Sequence, residues 1–258
     1  MDEQEFSKRI GKLRSDFQSN LNDIHIWSSV AIDALRQVSK DDKFLNHKVF
    51  IVPSSNTKNS KTIEREPERV LQIVNNALNY ELYYSVLVYL VAQVESFLTD
   101  VIALVLQFDH RRLLISVQGV DIVKKIDVGE IVTSNSKEAV IDVVIKQQLI
   151  SLFYASPASQ FEYMKKAIGI TVDENIQNNW IELKATRDLI VHNYGIVNDV
   201  YLKKCGDFAR GQLGAKITVN KEYFESSIAS AKSLIGKIAS QLQRSIKKDS
   251  KALKQNSG

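Results

Sequence analysis

The segment 85–106, SVLVYLVAQVESFLTDVIALVL, constrains this chain more than any other part of it. Apolar residues run around most of its circumference, so a helix there must be covered on nearly every side, by other helices or by lipid. Gln93, Glu95 and Asp100 lie near its middle, and an acid at mid-bilayer costs about 2.5–3.5 kcal/mol even on a lenient insertion scale. The segment therefore reads as the central helix of a bundle rather than a membrane span. A membrane-associated helical protein is the rival reading, and flotation or detergent dependence would reveal it.

The rest of the chain supplies the cover. Positions 2–39 form one amphipathic helix, because Phe6, Ile10, Leu13, Phe17, Leu21, Ile24 and Trp27 recur at three- or four-residue steps. Residues 40–65 lose that pattern and read as a polar loop with room for a short strand at KVFIV. Pro67 suits the first turn of the helix that runs to Gln107. Asp127 with Glu130, and Thr171 with Glu174, have the spacing of capping boxes. Ser136 caps a helix over 137–155, and Ser156-Pro157 opens another that ends before Gly169. The helix over 175–192 closes at Asn193-Tyr194-Gly195, residues suited to a left-handed turn. A short helix ends at Gly206, GQLGAKITV reads as extended, and Asn220 caps a last long helix. With only 10 Gly and 3 Pro in 258 residues, a sandwich or barrel is excluded and the chain is all-α, a bundle of long antiparallel helices with shorter additional ones. Three parts are expected: 1–65, an N-terminal helix and polar loop packed on the bundle; 66–247, the helical domain; and 248–258, a flexible basic tail.

Composition narrows the chemistry. The single Cys205 excludes a disulfide framework or multi-thiolate zinc site, and His25, His47, His110 and His192 show no ligand spacing. No metal and no cofactor are expected, since phosphate-loop, dinucleotide and nucleophile-elbow motifs are absent. The charged N-terminus is unlike a signal peptide, which points to a reducing cytoplasm. A net charge of +4 permits nucleic-acid binding without demanding it.

One stretch carries chemistry: Lys184-Ala-Thr-Arg187-Asp188-Leu-Ile-Val-His192-Asn193-Tyr194-Gly195. Arg187 and His192 are five apart, about 140° around a helix and about 7.5 Å along it, so a long Arg can reach toward an imidazole on the last turn. Asp188 and His192 share a face. A carboxylate neighbour and the helix C-terminus both favour imidazolium. Imidazole can move protons and guanidinium can hold phosphoryl oxygens, a pair suited to phosphodiester chemistry. The same spacing also fits a His that only caps its helix.

RDLIVHNYGIVNDVYL resembles the signature of the HEPN superfamily, helical bundles with Arg-x4–6-His at the end of a late helix. The wider context, LVAQVESFLTDVIALVL and SPASQFEYMKKAIGI included, resembles its RiboL-PSP-like branch over roughly residues 70–245. The resemblance implies a HEPN-like bundle and a metal-independent endoribonuclease of toxin–antitoxin, abortive-infection or other antiviral defence systems. It implies a homodimer whose motifs face each other, with RNA (tRNA or mRNA) as the partner. Arg187 and His192 match the signature positions, and Asn193 the polar residue after the His. Tyr194 completes Arg-x4-His-x-Tyr, a form modified in some toxins by a partner nucleotidyltransferase, so an antitoxin or such an enzyme is a further implied partner; a Tyr packed on the turn is the plain alternative.

Glu95 shares a helix face with Val88, Val91, Leu98 and Ile102, so it should point inward and need a cation. Arg187 is the expected partner, which makes Glu95 and Asp188 groups that orient the site; a purely structural ion pair is the other reading. Lys203, Lys204, Arg210 and Lys216 follow the motif and would add sequence-independent RNA affinity. The alternative function is a non-catalytic HEPN module that binds RNA, nucleotide or a protein partner and keeps the motif as a cap.

Overall fold

The computed structural model describes residues 1–46, 49–55, 60–123 and 125–255, with side chains through 245. The chain is all-α, with one two-stranded hairpin among the described residues. Helix α1 (Glu3–Val38) starts at Asp2, whose carboxylate accepts from Glu5 N at 2.7 Å. It buries Phe6, Ile10, Leu21, Ile24 and Ile32, the spacing of one helical face. The last long helix, α10 (Lys221–Gln255), lies antiparallel on it: Gln243 Nε2 donates to Ser7 O and Arg14 Nη1 to Ser240 Oγ. The N-terminal helix thus shares one core with the rest of the chain.

The described residues of the polar stretch 40–65 hold more secondary structure than its composition suggests. They form a helical turn, α2 (Asp42–Leu45), and a hairpin of β1 (Val49–Pro53) with β2 (Ser60–Glu64), Phe50 opposite Ile63. The second strand is a correction: SKTIE has one buried-type residue and shows no alternation to read. Of the segment KVFIV, Lys48 lies outside the described residues, as does His47.

Helix α3 (Pro67–Asn76), a π turn (Ala77–Glu81) and α4 (Leu82–Phe108) form one continuous helix. α4 is the expected central element. Leu87, Leu90, Val91, Val94, Phe97, Val101 and Leu106 have no exposed surface, and burial of each such side chain contributes about 1.5–3 kcal/mol. Around it pack α1, α6 (Lys137–Tyr154), α8 (Glu174–Asn193) and α10. Between them lie the short helices α5 (Val128–Thr133), α7 (Pro157–Tyr163), which runs into a π turn closed by Gly169, and α9 (Asp199–Cys205).

The caps divide into kept and lost. Ser136, Ser156 and Asn220 accept from the backbone N–H three residues on, as N-caps do, and Asn198, which the sequence reading did not single out, does the same for α9. Neither capping box forms. Asp127 accepts from Gly129 N, but Glu130 accepts instead from Gln147 Nε2 of α6. Helix α8 begins at Glu174, and Thr171 gives its backbone N–H and C=O to the Gln241 amide while Asp173 pairs with Lys237 at 2.6 Å. Tertiary partners on α10 outcompete the local cap. The expected tail is also helical, since α10 continues through residue 255.

Candidate functional site

The site is built where α8 runs antiparallel to α4. Trp180, Leu183, Ala185 and Leu189 turn into the core, which fixes the rotation of α8. Lys184, Arg187 and Asp188 are thereby carried along the edge of the α4 contact. There Arg187 Nη2 donates to both Glu95 oxygens, at 3.1 and 3.2 Å, and Lys184 Nζ lies 2.8 Å from Glu95 Oε1. Arg187 Nε faces Asp188 Oδ1 at 3.2 Å without hydrogen-bond geometry, and Asp188 Oδ2 accepts from Lys204 Nζ of α9 at 3.2 Å. The five side chains form a string of alternating charge: Lys184, Glu95, Arg187, Asp188, Lys204.

Glu95 is not swallowed by the core. Its side chain keeps 24% of its surface in water, so the expected inward carboxylate is an edge carboxylate. Edge placement lets it hold a guanidinium that also remains accessible: the Arg187 side chain is 23% exposed. Arg187 Nη1 donates to no protein group among the described residues.

His192 is exposed on the last turn of α8. It lines a cleft of about 240 Å³ with Asp188, Asn193, Asn198, Val200, Tyr201 and Lys204. The cleft brings the imidazole, the Asp188 carboxylate and the Lys204 ammonium to one surface. Asn193 is occupied differently from expectation. Its amide donates to Ile196 O, so it holds the turn after His192.

The turn ends α8 on one carbonyl: Tyr194 N and Gly195 N both donate to Leu189 O, the latter at 2.9 Å. Tyr194, at φ 53°, is the one non-glycine residue with positive φ among those described, and it is 91% exposed. A bulky residue there carries backbone strain of order 1–3 kcal/mol. Gly195, at φ 74°, admits no side chain, because a Cβ would come within 2.9 Å of the Tyr84 hydroxyl. Tyr84 in turn donates to Ile217 O at 2.6 Å, and Ile217 N donates to Gly195 O at 2.7 Å. The segment expected to be extended is thus a strap, bridged at Ile196 and Lys216, that locks the end of α8 to α4.

The basic residues separate. Lys203 and Lys204 are exposed on α9, and Lys204 lines the cleft with His192. Lys216 is exposed too, but its ammonium sits 3.9 Å over the Tyr80 ring, in a different cleft with Tyr194, Tyr84 and Ile190. Arg210 is a correction. Its Nε donates to Glu182 at 2.8 Å, Nη1 to Thr218 O and Nη2 to Thr186 Oγ1, and its guanidinium stacks 3.3 Å over Tyr223. A group so fully engaged holds the fold and is not free for a phosphate.

Glu182 is the hub of that network and the residue that pattern reading missed. It is 6% exposed and accepts from Thr186, Tyr201, Arg210 and Tyr223. An acid between Trp180 and Leu183 on the inward face of α8 was the available signal. Lys184 was missed as well, although it lies three residues before Arg187 on the same face. Among the described residues no three His, Cys, Asp or Glu side chains cluster as metal ligands.

The chain matches no family model, no curated protein and no solved structure. The reading of the site rests on its own geometry: a braced guanidinium, an exposed imidazole one turn further along the same helix, and ammonium groups beside it. Such a set can bind a phosphodiester, stabilise added negative charge and move a proton.

Proposed function

We propose that this protein is a HEPN-type endoribonuclease that cleaves RNA by attack of the 2′-OH on the adjacent phosphate, in a toxin or abortive-infection role. One observation carries this reading: Arg187 is held by Glu95 while its Nη1 stays free, and His192 stands exposed beyond it on the same helix. The resemblance of RDLIVHNYGIVNDVYL to the HEPN signature supports it.

The 2′-oxygen forms a bond to phosphorus, and the bond from phosphorus to the 5′-oxygen breaks. The 2′-OH proton leaves to a base and the 5′-oxygen takes a proton. Attack is intramolecular, which removes the entropic cost of bringing a nucleophile. His192 serves as base or acid, a role worth about 10²–10⁴ in rate. Arg187 stabilises the charge that builds on the phosphoryl oxygens, worth about 10²–10³. Lys203 and Lys204 draw the backbone to the site. Asn193 acts on the turn that presents His192, and Asp188 orients Arg187 and Lys204. Tyr194 is the group a nucleotidyltransferase partner would modify.

A single His supplies one of the two proton transfers. A homodimer with paired motifs near its two-fold axis supplies the other. The exposed apolar residues around His192, namely Val191, Tyr194 and Val200, suit such a face. The test is one labelled oligonucleotide incubated in EDTA. Cleavage with 2′,3′-cyclic phosphate and 5′-hydroxyl ends, abolished by a single 2′-deoxy substitution at the cut, is expected. Equal cleavage of the deoxy-substituted strand overturns the mechanism.

The engagement of Arg187 by two carboxylates favours a second reading, in which the motif caps α8 and the bundle binds RNA without cutting it. Cleavage lost in His192→Ala with melting unchanged decides for the enzyme.

A further inference from the structure

Glu95 borders a second feature. It lines an open cleft of about 770 Å³ between α4 and α6, with Ser96, Thr99, Lys146, Leu149, Ile150, Phe153 and Tyr154. The cleft lies within the size range of small-molecule sites, and like them it is mostly apolar with a few convergent polar groups. Its walls are unlike an ordinary solvated helix face. Tyr154 is 89% exposed and Ile150 60% exposed, while Leu149 beneath them is buried. Tyr154 OH and Lys146 Nζ have no hydrogen-bond or ion-pair partner among the described residues.

We infer that this cleft seats an unpaired nucleobase of the RNA whose backbone lies on Arg187 and His192. The inference rests on the ribonuclease reading and names its substrate class as single-stranded RNA. Three features select a base over other occupants. The exposed Tyr154 ring, with half-buried Phe153 also lining the cleft, offers a surface for stacking, which every base can use. Ser96 and Thr99 line the wall with hydroxyl groups; Thr99 donates its own proton to Glu95 O at 2.8 Å and so offers an acceptor, and a base edge carries both donors and acceptors. The cations flank the cleft on both sides, with Lys146 on its rim and Lys184 and Arg187 across Glu95. A polyanion can therefore approach although one wall is acidic, because the Glu95 charge is met by two cations. A paired base has its edge and both faces occupied and cannot enter such a cleft.

The test uses the full-length His192→Ala protein, so that no probe is consumed, and fluorescein-labelled RNA dodecamers of A, C or U. Each is compared at fixed salt with a dodecamer of the same sugar-phosphate backbone lacking bases. Anisotropy should show the best base-bearing strand binding about tenfold or more tighter than the bare backbone. Tyr154→Ala and Ile150→Ala should each remove most of that gain and leave the salt dependence unchanged, because no phosphate contact is lost. Tyr154 is too exposed for its truncation to endanger folding. A gain that persists in both variants, or no gain in the parent, overturns the inference. So does a change of mass in light scattering with the base-dependent gain intact, which would make the cleft a protein interface. Wild-type cleavage of RNA is scored separately. A base-dependent gain lost in Tyr154→Ala, beside a wild type that cuts nothing, supports the cleft and removes the ribonuclease reading; cleavage with an insensitive gain does the reverse.

Discussion

Arg187 and Glu95 meet through both carboxylate oxygens, across 92 positions of sequence. The contact ties the outer edge of α8 to the middle of α4 and leaves the Nη1 of the guanidinium without a protein partner among the described residues. Lys184 shares the same carboxylate and is itself nearly buried, at 9% exposure. The pair therefore combines support for the fold with preparation of a site. The two roles can be separated by measurement.

Glu95→Gln leaves two cations facing a neutral amide. A hydrogen bond to a charged partner contributes about 1.5–3 kcal/mol, and the water still reaching Glu95 puts the expected loss near 2 kcal/mol. At about 2–4 °C per kcal/mol the melting temperature should fall about 4–8 °C. Cleavage should fall less than in His192→Ala. A variant that melts like wild type would show that the carboxylate carries no structural share.

His192→Ala should behave oppositely. The imidazole is exposed and makes no hydrogen bond within the described residues, so calorimetry should detect no change in melting. RNA cleavage should drop about 10²–10⁴-fold. Full activity in this variant would end the proposed assignment of proton transfer.

Arg210→Ala tests the division among the basic residues. Removing it takes the cation from Glu182 while Thr186, Tyr201 and Tyr223 still donate to that carboxylate, so the expected loss is that of a hydrogen bond to a charged group, about 1.5–3 kcal/mol. The salt dependence of RNA binding should stay the same. Lys203→Ala and Lys204→Ala should instead each lower the slope of log affinity against log salt by about one, with little effect on melting.

Burial governs behaviour in alkali. It pushes the Cys205 thiol up from 9.0 to about 12, and the Tyr84, Tyr163 and Tyr201 hydroxyls up from 10.0 to about 12. The folded chain holds these protons more tightly than the unfolded one. Their stabilising contribution is thus complete below pH 9 and lost as pH rises toward 12. Urea midpoints should fall steadily between pH 9 and 11.5. At pH 8 a thiol reagent should leave Cys205 untouched until the protein is unfolded, and rapid labelling of the native chain would contradict the packing around it.

Val191→Asp combined with Val200→Asp puts charge on the apolar surface beside His192. Light scattering should shift from dimer to monomer, with cleavage falling in step. A wild-type monomer with full activity would remove the paired-motif arrangement.

Much was decided by the sequence alone. The period of α1, the unbroken apolar circumference of α4 and the capping residues Ser136, Ser156 and Asn220 are local signals, and each element formed as they dictate. Arg187, Asp188 and His192 could be assigned to the end of one helix for the same reason. Other features needed the tertiary structure. Thr171 and Glu130 abandon their capping boxes because Gln241 and Gln147, remote in sequence, offer better-placed amides. Arg210 reads as a surface cation until Glu182 and Tyr223 are brought around it. β2 has no pattern of its own and exists only because β1 presents a free edge. The cleft beside Glu95 comes from two helices that sequence cannot juxtapose. Periodicity records which face of a helix is covered, whereas the partner that covers it, and the charge or gap left at the edge, depend on packing between residues far apart in the chain.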